Sequence, residues 1–158
     1  MFTAEGEETL RARFRKNGFM TKQDLASIVR WKFQGRLLGR QRRILKLTDE
    51  VRDSFARDVS RLAFSSKDDR TRLELLSSIK GIGNALSSVI LTFYDPKRHG
   101  VLDIHAWRGL FGEKEPKDVF QNPRRAIRYF YRLREISQQT GLICRDIEKG
   151  IFQKRRGD

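Results

Sequence analysis

The chain has little of what disulfide-linked, metal-binding or membrane proteins are built from. Its 158 residues include one cysteine, Cys144, so this chain can form no disulfide framework, cysteine-based zinc site or four-cysteine cluster. No apolar run approaches the length of about 20 residues that a membrane-spanning helix needs. The first ten positions are rich in glutamate and lack an apolar run, so we expect no signal peptide. We expect a cytoplasmic protein, associated with the nucleoid if it is bacterial, with a nuclear location left open.

Acidic residues are scarce relative to basic ones. The chain carries 34 lysines and arginines against 20 aspartates and glutamates, a formal net charge of +14. This surplus favours a polyanionic partner, and nucleic acid is the simplest such partner. A hydrophobic content of 38%, with 10% aromatic residues, is typical of a folded protein rather than a disordered basic tail. The length fits one domain with its own core.

The alternation of apolar and polar residues that marks β-strands is absent. Apolar residues instead recur at the three- and four-residue intervals of amphipathic helices, which predicts an all-α fold. Thr21-Lys22-Gln23-Asp24 and Ser66-Lys67-Asp68-Asp69 have the form of capping boxes, and Thr48 is predicted to cap a helix between them. Asn122-Pro123, a cap followed by proline at the first helical position, predicts the start of a long helix.

The most informative segment is Leu76–Ile90, which reads as a helix, a two-glycine hairpin and a second helix. Glycine can adopt positive φ and has no Cβ to obstruct an approaching group. The second helix begins with uncovered backbone N–H groups and the positive end of its dipole, which together suit a phosphate. The DNA contacts predicted at this turn are Lys80, Gly81, Ile82, Gly83 and Ala85.

One isolated carboxylate, Asp103, follows the hairpin at the start of the next predicted helix. Its sequence context is Val101-Leu102-Asp103-Ile104-His105-Ala106-Trp107-Arg108. Aspartate is a common N-cap, so capping of the helix over Ile104–Phe111 explains the residue without any further function. A functional carboxylate beside the hairpin is the second interpretation, and the two are compatible.

Together, the hairpin and the acid resemble the helix-hairpin-helix base-excision DNA glycosylases, the superfamily of endonuclease III, the adenine-mismatch glycosylase and 8-oxoguanine glycosylase. Those enzymes share an apolar-Pro-Gly-apolar-Gly hairpin, then an apolar helix, then Val-Asp-x-His with an essential aspartate. The matching residues here are Ile79-Lys80-Gly81-Ile82-Gly83 and Leu102-Asp103-Ile104-His105, and Trp107 is similar to the 8-oxoguanine branch. The resemblance implies one compact, two-lobed helical domain over residues 1–158. Residues 21–93 would form the hairpin lobe, and residues 1–19 with 103–158 the second lobe.

The resemblance also implies an activity. A glycosylase flips a modified or damaged base out of double-stranded DNA and hydrolyses its N-glycosidic bond. Asp103 would stabilise the oxocarbenium-like sugar and orient or deprotonate the attacking water, and His105 would face a backbone phosphate. We expect a monomer without metal or other cofactor. The cysteines that hold the iron–sulfur cluster of endonuclease III-type members are missing from this chain.

One departure from the family pattern concerns the lyase activity. Lyase-competent members carry, two residues after the second hairpin glycine, a lysine whose amine forms a Schiff base with the sugar. That position is Ala85 here, and Lys80 lies on the other side of the turn. The resemblance therefore implies a monofunctional enzyme without AP-lyase activity.

Other residues are weaker candidates for DNA contact. Trp31 and Lys32 fall roughly where relatives carry residues that fill the gap left by a flipped base, although packing of Trp31 beside Ile28 explains it more simply. Phosphate contacts are predicted for the basic cluster Arg36, Arg40, Arg42 and Arg43, and a second cluster follows at Arg124, Arg125, Arg128 and Arg132. A solvated helix face would show the same pattern.

Two other functions stay open at this point. The chain could be a non-catalytic helix-hairpin-helix DNA-binding protein in which Asp103 is only a helix cap. RNA binding through the same basic surface is the third interpretation, although no recognisable single-strand motif supports it.

Overall fold

A computed structural model describes residues 4–33 and 39–157. These residues form helices and no strand, so the predicted all-α class is confirmed. In chain order the helices are α1 (Ala4–Asn17), α2 (Lys22–Phe33), α3 (Arg40–Asp49), α4 (Asp53–Ser65), α5 (Asp69–Ser77), α6 (Asn84–Tyr94), α7 (Ile104–Phe111), α8 (Pro123–Thr140) and α9 (Cys144–Gly157). Among the described helices none combines the length and the apolar composition needed to cross a bilayer.

Two of the predicted helix starts are confirmed by their hydrogen bonds. The Thr21 hydroxyl oxygen accepts from the Asp24 N–H at 3.0 Å, and the Asp24 carboxylate accepts from the Thr21 N–H at 3.1 Å. This reciprocal capping box opens α2. Asn122 caps α8 by accepting from the Arg124 N–H at 3.0 Å, and Pro123 occupies the first helical position.

Two other predicted starts are wrong. Thr48 is buried inside α3, where its hydroxyl donates to the Leu45 carbonyl at 3.0 Å. The helix that follows, α4, has Arg52 at its N-cap position, so Thr48 does not cap it. Ser66 ends α4, and α5 is capped by Asp68, which accepts from the Thr71 N–H at 2.9 Å.

The second hairpin helix, α6, lies at the centre of the core. Every residue from Leu86 to Phe93 is buried, as expected for a helix with apolar or small residues all round. α6 contacts α1, α2, α5 and α8. Trp107 of α7 and Tyr129 of α8 are among the largest fully buried side chains, and their rings lie nearly parallel at 6.3 Å. The hairpin is therefore attached to the most buried helix that the structure describes.

The first helix, which belongs to the predicted second lobe, also packs against α6 of the predicted hairpin lobe. Arg15 of α1 donates to the Tyr94 carbonyl at the end of α6, at 3.0 Å. Glu7 of α1 pairs with Arg145 of α9, at 2.8 Å. The division of the domain into two lobes stays a prediction.

Candidate functional site

Asp103 occupies the N-terminal end of α7 and caps that helix. Its Oδ1 atom accepts from the Ala106 N–H at 2.7 Å, and the residue is half-buried. Its Oδ2 atom accepts no hydrogen bond from the residues that the structure describes. The cap is therefore present, and it leaves one carboxylate oxygen for another partner.

The residue two before Asp103 is held by two buried side chains. The Val101 N–H donates to the Glu148 carboxylate of α9 at 2.7 Å, and the Tyr129 hydroxyl of α8 donates to the Val101 carbonyl at 2.8 Å. Burial raises the pKa of the Glu148 carboxyl, although the charge of Arg145 and the Val101 N–H oppose that rise. Burial also raises the pKa of the Tyr129 phenol. These bonds fix the backbone that leads into α7.

A serine ties the same segment to the hairpin. The Ser88 hydroxyl of α6 accepts from the Leu102 N–H at 2.9 Å and donates to the Ala85 carbonyl at 2.6 Å. Ala85 is in the first turn of α6, directly after the hairpin. One side chain thus sets the distance between the hairpin helix and the residue before Asp103.

A lysine from α2 completes the surroundings of Asp103. The Lys32 ammonium donates to the Leu102 carbonyl at 3.5 Å, and the residue is half-buried. Burial lowers the pKa of Lys32, although the charges of Asp103 and Glu148 raise it in part. Of the two residues predicted to fill the gap left by a flipped base, Lys32 is therefore placed near the candidate carboxylate.

The other of these two residues, Trp31, packs inside the protein. Its ring meets Phe93 edge-on at 5.2 Å, and the Arg145 guanidinium lies 5.7 Å from the ring centre. Arg145 also pairs with Glu7 and Glu148, so the tryptophan covers a cluster of paired charges.

The two hairpin glycines are needed for different reasons. Gly81 has φ +91°, a conformation that favours glycine. Gly83 has φ −111°, which any residue adopts, but a Cβ there would lie 3.1 Å from the Phe120 carbonyl oxygen. A Cβ on Gly81 would in turn lie 3.3 Å from Leu47 of α3. Both glycines therefore allow close packing inside the protein, in addition to any phosphate contact at the turn.

Several backbone N–H groups of the hairpin are already used. The Ile82 N–H donates to the Ile79 carbonyl and the Asn84 N–H to the Phe120 carbonyl, both at 3.0 Å. The N–H groups of three predicted phosphate donors have no acceptor among the described residues, namely Gly81, Gly83 and Ala85. The Lys80 side chain at the tip of the turn is exposed. This arrangement keeps the predicted donors available to an anion.

An asparagine that sequence reasoning missed fixes the hairpin to the loop before α8. The buried Asn84 amide donates to the Val119 carbonyl at 3.0 Å and to the Asn122 carbonyl at 2.7 Å. The signal in the sequence was a polar residue directly after the hairpin, at the start of an otherwise apolar helix. A buried amide needs hydrogen-bond partners, so such a residue points to a contact with another segment.

The remaining predicted contacts lie at several places. Arg40, Arg42 and Arg43 are at the start of α3, the helix that packs against Gly81, and all three are at least partly accessible. His105 is half-buried on α7, with its ring edge-on to Phe152 of α9 at 5.8 Å. Arg36 lies outside the described residues.

A buried network that the sequence did not reveal links α5 to α8. The His99 ring places Nε2 2.9 Å from the Asp69 carboxylate, and Arg134 pairs with the same carboxylate at 2.6 Å. Burial lowers the pKa of His99. Burial opposes ionisation of Asp69, but the hydrogen bonds of His99 and Arg134 outweigh it and hold its pKa well below the usual range. This network stabilises the fold away from the hairpin tip.

Asp103 lines neither of two surface cavities that described residues form. One, of about 520 Å³, lies between Lys80 and the junction of α3 with α4. The other, of about 610 Å³, follows the exposed face of α8. No family model, curated protein or solved structure matches the chain.

Proposed function

We propose that the protein is a monofunctional DNA glycosylase that hydrolyses the N-glycosidic bond of a modified or damaged base flipped out of double-stranded DNA. The observation that carries this proposal is the hydrogen bonding of the Asp103 carboxylate. One of its oxygens is bound to its own helix, and the other has no partner among the described residues. The carboxylate also follows a segment that Ser88 ties to the hairpin helix.

This geometry suits the chemistry of glycosidic hydrolysis. The bond between C1′ and the base nitrogen breaks, a water oxygen bonds to C1′, and the base leaves with a proton. The sugar becomes positively charged in the transition state, so a carboxylate beside it lowers the barrier. The Ala106 N–H orients Asp103 before the reaction, and Oδ2 is left to meet the sugar or to accept a proton from water.

DNA binding is supported by the surroundings of the hairpin. The unpartnered N–H groups and the positive end of the α6 dipole suit a phosphate. The exposed Lys80 adds positive charge in the turn itself, and the arginines at the start of α3 add it on a helix that packs against Gly81. A chain with a net charge of +14 gains affinity for DNA by releasing bound cations.

The test distinguishes the helix-capping role of Asp103 from its proposed catalytic role. Asparagine caps helices as well as aspartate does, so Asp103→Asn keeps the fold while removing the charge. We expect the rate of base release to fall about 10²–10⁴-fold, with near-normal affinity for duplex DNA. Base release is measured by mass spectrometry on a panel of duplexes that contain damaged, mismatched and modified bases.

A matched control exists in Asp68→Asn. Asp68 is also an N-cap aspartate that accepts from the N–H three residues later, but it opens α5 and is exposed. This variant should release base at the wild-type rate. An equal loss in both variants would mean that the substitutions act through folding.

The second candidate function is DNA binding without catalysis. It is favoured by the Asp103 cap, which accounts for this residue without any catalytic role. If wild-type protein binds duplex DNA but releases no base from the whole panel, this function replaces the glycosylase.

A further inference from the structure

The exposed face of α8 carries a row of arginines that the hairpin site does not use. Arg124, Arg128 and Arg132 follow one another at four-residue spacing, so each is displaced from the last by about 6 Å along the helix axis. The row lines the cavity of about 610 Å³, which we name the α8 groove. Its other lining residues are Phe111, Ile127, Tyr131 and Glu135.

The positive charges of this row are available to a ligand. Arg124 is exposed and has no side-chain partner among the described residues. The ion pairs of Arg128 and Arg132 are long and involve exposed carboxylates, Glu113 at 3.7 Å and Glu135 at 3.8 Å, and Arg128 also lies over the Phe111 ring. Exposed pairs of this length contribute little and exchange readily for a phosphate.

The groove also offers aromatic surface. Tyr131 is 61% exposed, one of few large apolar or aromatic side chains that the described part of the protein leaves in solvent. Its neighbour Phe111 is half-buried, with the Arg128 guanidinium 4.5 Å from the ring centre. An exposed aromatic ring within a row of cations is the combination that stacks a base while binding its flanking phosphates.

The groove begins close to the hairpin. The Asn84 amide, directly after Gly83, donates to the carbonyl of Asn122, the cap of α8. The first turn of α8, which carries Arg124, therefore lies next to the hairpin. Inside a duplex the faces of each base are covered by the neighbouring bases. The solvent-exposed ring of Tyr131 therefore favours unpaired nucleotides, whose bases are free to stack on it.

We infer that the α8 groove binds an unpaired strand of DNA. Arg124, Arg128 and Arg132 contact its phosphates, and Tyr131 stacks on a base. This activity is separate from base release, and the choice of DNA over RNA rests on the proposed function. The bound strand would be a single-stranded segment next to the duplex that the hairpin holds.

The test measures binding of the full chain to a short labelled oligothymidylate by fluorescence anisotropy over a range of salt concentrations. Tyr131→Ala should weaken binding roughly 5- to 150-fold, and Tyr131→Phe, which keeps the ring, should bind like wild type. Leu62→Ala removes another exposed apolar side chain, 57% exposed on α4 and outside both cavities described above, and is the matched control. It should leave the affinity unchanged.

The arginines are tested through the salt dependence. Each glutamine substitution in the row should lower the log–log slope by about 0.7 per lost phosphate contact. Arg70→Gln, at an exposed position on α5, makes the same charge change elsewhere and should leave the slope unchanged.

The outcomes separate this inference from the glycosylase. If Tyr131→Ala binds oligothymidylate like wild type, or if Leu62→Ala loses as much, the inference is overturned. Tighter binding of oligouridylate than of oligothymidylate overturns the choice of DNA. A protein that releases no base, yet needs Tyr131 for single-strand binding, would support this inference and contradict only the glycosylase.

Discussion

The Lys32 ammonium lies 3.5 Å from the carbonyl oxygen of Leu102, the residue directly before Asp103. A cation from α2 is thereby joined to the segment that carries the candidate carboxylate. Burial lowers the pKa of this lysine from its ordinary value of 10.5. A half-buried lysine that loses its proton more easily than usual has consequences both for stability and for reactivity.

The first consequence is a pH-dependent stability. Between the lowered folded-state pKa and 10.5, the unfolded chain binds more protons at Lys32 than the folded chain does. Wild-type stability should therefore rise with pH in that window relative to Lys32→Met, which has no such proton. The measurement is urea denaturation of both proteins between about pH 7 and about pH 10. A difference in the free energy of unfolding that stays constant over this range would contradict the prediction.

The lowered pKa also makes Lys32 a candidate amine for a lyase reaction, which the proposed monofunctional enzyme lacks. Because Ala85 stands where the lyase-competent glycosylases that the sequence resembles carry a lysine, we expect borohydride to trap no covalent adduct between the protein and DNA that contains an abasic site. A trapped adduct would overturn the monofunctional assignment. Loss of that adduct in Lys32→Gln but not in Lys80→Gln would identify the amine near Asp103 as the nucleophile.

Local chemistry explains which parts of the fold the sequence predicts. The caps at Thr21 and Asn122 are predictable because both partners of each bond lie within three residues. The prediction for Thr48 is wrong because a threonine hydroxyl can either cap a following helix or donate to a carbonyl in the preceding turn. In the folded protein it donates to the preceding turn. Propensity alone does not decide between them.

The candidate site is less predictable than the fold because its supports come from distant segments. Asp103 and its cap follow from a local pattern. The side chains that fix the preceding residues are Ser88, Tyr129 and Glu148, which are 14, 28 and 47 residues away from their partners in sequence. No periodicity marks a serine or a tyrosine for such a bond, so only the folded chain reveals them.

The hairpin prediction is tested best at Lys80. A Gly83→Asp substitution is expected to weaken DNA binding and flatten its salt dependence, but its Cβ would also press on the Phe120 carbonyl at 3.1 Å. Lys80→Gln changes an exposed side chain and leaves this packing intact. Its log–log salt slope for duplex DNA should fall by about 0.9 for one lost phosphate contact. Lys67→Gln, an exposed lysine before α5, serves as the control, and equal slopes in both variants would assign the hairpin a structural role only.

The buried network of His99 and Asp69 predicts a stability that falls on acidification. The folded-state pKa of His99 lies below its ordinary 6.5, so the unfolded chain binds more protons below that pH and stability is lost as pH falls. Asp69, whose pKa is also lowered, adds a further loss below 3.8. His99→Gln should be less stable than wild type at neutral pH but lose less stability between about pH 7 and about pH 5. Parallel pH profiles in urea denaturation would contradict this account.

The close approach of α7 to α9 supplies a prediction that links packing to activity. A Cβ on Gly109 of α7 would collide with the Ile151 side chain and lie 2.8 Å from the Arg155 Cδ, so Gly109→Ala requires these side chains or the two helices to shift. We expect a loss of about 1–3 kcal/mol in the free energy of unfolding, as for other overpacked sites. Gly150→Ala on α9 meets nothing within 4 Å and should instead stabilise the helix by roughly 0.5–1 kcal/mol.

The same pair of variants tests whether the position of α7 matters for the proposed chemistry. Because Asp103 caps α7, a displaced helix carries the carboxylate away from the segment that Ser88 ties to the hairpin. Gly109→Ala should therefore release base more slowly than wild type at a temperature where both remain folded, while Gly150→Ala keeps the wild-type rate. Circular dichroism establishes the folded fraction of each variant. An unchanged rate in folded Gly109→Ala would show that base release tolerates movement of α7, which a carboxylate acting directly on the sugar does not.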